Sequence, residues 1–208
     1  SYLYSMKSTN SNGDSNFLTP FVSVVAGVAP NPPTGVSATI PNTATAPLDV
    51  TVSFSPSGTV GSGTVTGFQL LRDGVAVATD GLVTSLQDTA PAGGTTYAYT
   101  VKALGTHGNS VASSSSSVTT PNTPAQVTGL TVTPVSTSRI DLSWNTPSDN
   151  NSLISGYKVQ ISSNGGSSYT DVLTGNVNTA YQALSLNGNA QYHFKVSAIN
   201  GVGTGTAS

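Results

Sequence analysis

A short alternating strand occurs three times in this chain at a fixed spacing, and it constrains the fold more than any other feature. It reads Tyr2-x-Tyr4-x-Met6, then Tyr97-x-Tyr99-x-Val101-x-Ala103, then Tyr192-x-Phe194-x-Val196-x-Ala198, with 95 residues between successive copies. Each copy runs into a glycine-marked turn: Asn10-Ser11-Asn12-Gly13, Gly105-Thr106-His107-Gly108 and Asn200-Gly201-Val202-Gly203. Apolar and aromatic residues hold one phase of the strand; Ser5, Thr100, His193 and Lys195 hold the other. A period of two puts one face in a core and the other in water. A repeat this long makes each unit a whole domain, large enough to bury a core without disulfide or metal staples. The 208 residues therefore hold two complete units and a remnant of a third.

Proline marks the boundaries. Pro30-Asn31-Pro32-Pro33 and Pro121-Asn122-Thr123-Pro124 each follow a copy of the strand pair. Proline fixes φ and donates no hydrogen bond, so 30–33 and 121–124 read as short, semi-rigid linkers, and the units as a rod. Residues 1–29 then hold two strands, Tyr2 to Ser8 and, after the Gly13 turn, a second in which Phe21 to Val25 lies. In unit 34–120 strands are expected over Val36–Ile40, Val50–Phe54, Val65–Leu71, Val75–Ala78, the Tyr97 run and a last run through Val118. Asp73-Gly74 is a strong hairpin signal between two of them. Unit 125–208 repeats the order through Val127–Val135, Ile140-x-Leu142-x-Trp144 and Tyr157-x-Val159-x-Ile161, with a turn at Asn164-Gly165. No segment shows helical caps or periodicity. About seven short strands per unit predict an all-β chain of antiparallel sandwiches.

These residues carry a family resemblance. Unit 125–208 resembles a fibronectin type III domain along nearly its whole length. The matching features are Leu130 in the first strand, Trp144 in the second, Tyr157 in the third, and Leu186 six residues before Tyr192. The tail Tyr192-x-Phe194-x-Val196-x-Ala198-x-Asn200-x-x-Gly203 completes the match. The resemblance implies tandem immunoglobulin-like β-sandwiches, with the tryptophan between the sheets and the late tyrosine pinning a corner to backbone. Unit 34–120 resembles the same family with Phe54 in the tryptophan slot and Pro91 in place of the leucine before the corner. Residues 1–29 resemble only the last two strands of a preceding domain, and Ser208 falls early in the final strand of the last one. Two readings of these ends are expected: a window on a longer array, or strands that complete a neighbouring copy by strand addition. The structural core is expected at Phe54, Phe68 and Tyr97 in the first unit, and at Trp144, Tyr157, Leu186 and Tyr192 in the second.

Composition excludes several function classes. Without cysteine there are no disulfides, thiolate metal sites or cysteine nucleophiles. Six basic residues and a net charge of −2 cannot neutralise a run of phosphates, so no nucleic-acid partner is expected. The longest apolar stretch, 21–29, is far shorter than a membrane helix of about 20 residues, and no membrane insertion is expected. The chain opens on a strand with no signal peptide pattern.

Catalytic and metal-binding constellations are scarce. His107 and His193 lie in different units with no ligand set at metal spacing. No Gly-x-Ser-x-Gly elbow is present, and Gly201-Val202-Gly203-Thr204-Gly205 lacks the spacing and helix of a dinucleotide loop. Leu48-Asp49-Val50 matches an integrin-binding tripeptide but opens a core strand, with Val50 in the inward phase. Asn150-x-Ser152 is a candidate glycosylation site on the loop after Trp144. The serine run 113–117 reads as a polar edge strand open to lateral contact.

The expectation is a non-catalytic extracellular spacer or structural protein, without cofactor or metal, forming part of a microbial or viral surface fibre, filament or layer. Its expected partners are other copies of itself, end to end or side by side. Two alternatives stand beside it: an adhesin-type module binding a surface glycan or receptor, and the accessory spacer of a secreted hydrolase. The first alternative needs an exposed aromatic cluster, for which Tyr169 and Tyr181 are the candidates.

Overall fold

Alternation of apolar side chains becomes two-layer packing wherever the turn chemistry lets consecutive strands meet. The computed structural model describes residues 2–4, 6–16, 22–24, 27–40, 48–56, 63–89 and 91–208. Among them there is no helix. The N-terminal segment contains β1 (Tyr2–Tyr4), β2 (Thr9–Asn10), β3 (Gly13–Asp14) and β4 (Val22–Val24). β1 pairs antiparallel with β4, and β2 with β3. The strand expected from Tyr2 to Ser8 is thus broken: its second part gives way to a separate small hairpin. The side chain of Asn10 accepts from the Asn12 N–H at 2.8 Å and closes that turn. Phe21 and Val25, both expected in the second strand, lie outside the described residues.

The first sandwich comprises β5 (Thr34–Thr39), β6 (Asp49–Ser55), β7 (Val65–Arg72), β8 (Val75–Asp80), β9 (Ser85–Thr89), β10 (Thr96–Gly105) and β11 (Ser116–Thr119). One sheet runs β5-β6-β9 and the other β11-β10-β7-β8. The second sandwich comprises β12 (Thr128–Ser136), β13 (Arg139–Asn145), β14 (Ile154–Ser162), β15 (Thr170–Leu173), β16 (Ala180–Ala183) and β17 (His193–Asn200). Its sheets, β12-β13-β16 and β15-β14-β17, repeat the same order. Asp73 and Gly74 join β7 to β8 with φ of 50° and 84°. Positive φ at both central residues gives the turn a twist that matches the flanking strands.

Three strands carry little apolar signal and escape the sequence reading: β9, β15 and β16. β9 buries only Leu86 and Asp88, and β16 only Ala183. Their pairing partners hold them in place rather than their own hydrophobicity.

Each sandwich has its own core. Val50, Val52, Phe54, Phe68, Leu70, Leu86, Tyr99, Val101 and Ala103 form the first. Val127, Leu142, Trp144, Tyr157, Val159, Ala183, Val196 and Ala198 form the second. Past β10 and β17 the chain returns along them in the same way. Ser110 and Ser113 N–H groups donate to the Ala103 and Val101 carbonyls, as Gly205 and Ser208 do to Ala198 and Val196. Even the hydroxyls repeat: Ser113 Oγ accepts from Val101 N–H at 2.9 Å and Ser208 Oγ from Val196 N–H at 3.0 Å.

Candidate functional site

The residues singled out as structural core fall into two groups. Phe54 and Phe68 meet with ring centroids 4.9 Å apart, and Trp144 and Tyr157 occupy the corresponding places 5.1 Å apart. All four are buried. The other three are half-buried and lie at the margins. Leu186 packs against the second core. Tyr192 places its hydroxyl 2.9 Å from Asn187 N, accepting that N–H and pinning the loop before β17. Tyr97 instead lies beneath the Arg72 guanidinium, 5.0 Å from the ring centroid, a cation–π contact. Tyr181 packs against the second core, and Tyr169 is covered by Lys195, whose Nζ is 4.4 Å from its centroid. Neither offers an open aromatic platform.

A polar cluster that sequence reasoning missed lies inside the first sandwich. The fully buried Tyr99 hydroxyl donates to Asp88 Oδ2 at 2.6 Å, and Arg72 Nη1 donates to the same oxygen at 2.8 Å. The three residues come from β7, β9 and β10, and no short motif links them. Both bonds converge on one oxygen of a carboxylate that is itself buried.

Burial, reinforced by the Asp88 carboxylate, raises the Tyr99 phenol above its ordinary value. In the unfolded chain a phenol ionises near about pH 10. The folded phenol keeps its proton past that point, so the unfolded state releases protons first. This stabilising contribution is complete below about pH 10 and declines as pH rises through the folded value. Urea midpoints should therefore begin to fall as pH rises above about 10, and Tyr99→Phe should flatten the fall. An unchanged pH profile in Tyr99→Phe would count against this assignment.

The second arrangement is the joint between the sandwiches. On one side Gly94 N–H donates to the carbonyls of Thr120 and Pro121, each at 3.1 Å. On the other, Asn122 N–H donates to the Asn150 carbonyl at 3.0 Å, and Asn150 Nδ2 donates to the Thr123 carbonyl at 2.7 Å. Asn200 Nδ2 reaches the Asn122 carbonyl at 2.8 Å. The linker thus passes from the hydrogen bonds of one sandwich to those of the other between two adjacent residues, Pro121 and Asn122. Gly94 is required here, since its φ is 69° and a methyl group on it would lie 2.7 Å from Asn122 Nδ2. A groove of about 520 Å³ flanks the joint, bordered by Ile40, Val118, Asp149 and Leu153.

The joint also changes the meaning of the Asn150 site. Its side-chain nitrogen bonds across the linker, its φ is 50°, and Ser152 is 1% exposed. In the folded chain Asn150-x-Ser152 is therefore part of the joint rather than an open loop. The Leu48-Asp49-Val50 tripeptide is likewise unavailable, because Leu48 and Val50 are both buried. His107 sits in the turn after β10 and His193 is half-buried on β17. Among the described residues no three histidines or acids converge as a metal site.

A family model described as the fibronectin type III domain matches residues 125–208. Exoglucanase B of Cellulomonas fimi is 32% identical over 139 residues, covering 63% of this chain and 12% of that protein. Among solved structures, the chicken CNTN1 FN1–FN3 domains share 18% identity at a TM-score of 0.40, over 99% of this chain and 75% of theirs. A two-domain fibronectin type III segment of chicken tenascin shares 15% at a TM-score of 0.40, over 86% of this chain and 97% of its own. Residues 125–208 belong to the fibronectin type III family, and the chain carries this sandwich fold twice in tandem.

Proposed function

We propose that this chain is a non-catalytic extracellular spacer, an accessory segment that holds the catalytic part of a secreted hydrolase at a set distance and angle. The joint carries this reading: two independently cored sandwiches are tied through a linker whose adjacent residues are bonded to opposite sides. Similarity to a short span of a protein named as an exoglucanase supports the link to a hydrolase over the surface-fibre alternative. The polar edge strand β11, with Ser117 and Thr119 exposed, favours a second reading in which copies pack side by side into a fibre.

Small-angle scattering over a concentration series, paired with depletion on microcrystalline cellulose, separates these readings. The spacer predicts an elongated profile independent of concentration, with the protein remaining in solution. Mass that grows with concentration would replace it with the fibre, and depletion by cellulose would replace it with a glycan-binding module.

A further inference from the structure

We infer that Asn200 is the latch that holds the two sandwiches at one angle. This rests on the spacer reading and names the residue that enforces it. The Asn200 carboxamide faces three carbonyl oxygens: Asn122 in the linker at 2.8 Å, Asp149 at 3.1 Å and Ser152 at 3.2 Å. Its Oδ1 accepts from Val202 and Gly203 N–H groups at 2.9 and 3.0 Å. One side chain therefore ties together the linker, the loop ahead of β14 and the turn after β17. It is 5% exposed, so water does not readily replace a bond lost there.

The latch is not inherent in the fold. In the 95-residue repeat Gly105 occupies the place of Asn200. There Pro30 packs directly on the chain, and a methyl group on Gly105 would lie 2.8 Å from its Cδ. The first sandwich thus seats the segment before it without a side-chain amide at this position. The second has an amide whose donors reach the linker itself. Asn150 supplies a second strap through Thr123, one residue further along.

Asn200→Asp keeps the shape of the side chain and reverses its role. A carboxylate oxygen would face three carbonyl oxygens at hydrogen-bond distance, with no proton between them, and the linker would be pushed away. Because the chain has no cysteine, Thr79→Cys and Ser163→Cys, both exposed positions, allow one spin label on each sandwich. The double-labelled parent should give a single narrow distance distribution. With Asn200→Asp the narrow peak should be lost, while Trp144 fluorescence reports that the second sandwich remains folded. Should Asn200→Asp fail to fold, Asn150→Gly removes only the outer strap and should broaden the same peak. Narrow distributions in the parent and in the folded variants would overturn the latch and leave the spacer standing. A broad distribution in the parent would overturn both.

Discussion

Trp144→Ala should destabilise the second sandwich by about 3–5 kcal/mol, whereas Trp144→Phe should cost far less. Trp144 is 5% exposed and stands edge-on to Tyr157 between the two sheets. Truncation to alanine removes that contact and leaves a cavity between β13 and β14, which the close-packed sheets cannot collapse to fill. Phenylalanine is a different case. The indole Nε1 is buried with no hydrogen-bond partner among the described residues, so the N–H carries a desolvation cost that nothing offsets. The first sandwich already uses Phe54 at this place, paired with Phe68 at nearly the same separation. Urea unfolding followed by far-UV circular dichroism gives both values. Equal losses for the two variants would mean that the indole N–H is satisfied after all.

Asp88→Ala should be the next most severe, at about 1–3 kcal/mol for the first sandwich, because it strands a buried hydroxyl, while its other partner, Arg72, is still reached by water. The Tyr99 hydroxyl would lose its acceptor at a fully buried position, and the Arg72 guanidinium would keep its charge with no carboxylate beside it. The second sandwich shows how the fold manages without this cluster. The cross-strand partners Arg72 and Tyr99 correspond to Ile161 and Phe194, and Asp88 corresponds to Ala183. All three replacements are apolar and join the second core. The triple variant Arg72→Ile, Asp88→Ala, Tyr99→Phe should therefore recover most of what the single variant loses. Hydrogen exchange of β9 and β10 amides measures this in the first sandwich separately, since two sandwiches in one chain need not unfold as one transition. A triple variant no better than Asp88→Ala would show that the cluster is not replaceable by packing.

Reading the fold from the chain worked where one side of a strand is buried. Alternation in the Tyr97 and Tyr192 runs, the Asp73-Gly74 turn and the paired proline stretches are local signals, and each has a local physical cause. It failed for β9, β15 and β16, where a residue such as Ala183 is core only because β13 lies beside it. It also broke at residues 2–8, where the alternation persists but the chain turns into the small β2–β3 hairpin instead.

The sequence by itself determined a cysteine-free tandem of β-sandwiches, because hydrophobic phase and turn chemistry act over a few residues at a time. It determined too where the aromatic anchors Phe54 and Trp144 recur, since each stands in the inward phase near the end of its unit's second strand. Only the tertiary structure decided what the polar residues do. Asp88 joins Arg72 and Tyr99 through strand register. Asn150 passes from a surface loop to a strap, and Asn200 from a turn residue to the latch of the joint. The bond from Asn200 to Asn122 spans 78 positions and depends on where strands finally lie, and no local pattern in the chain encodes that distance.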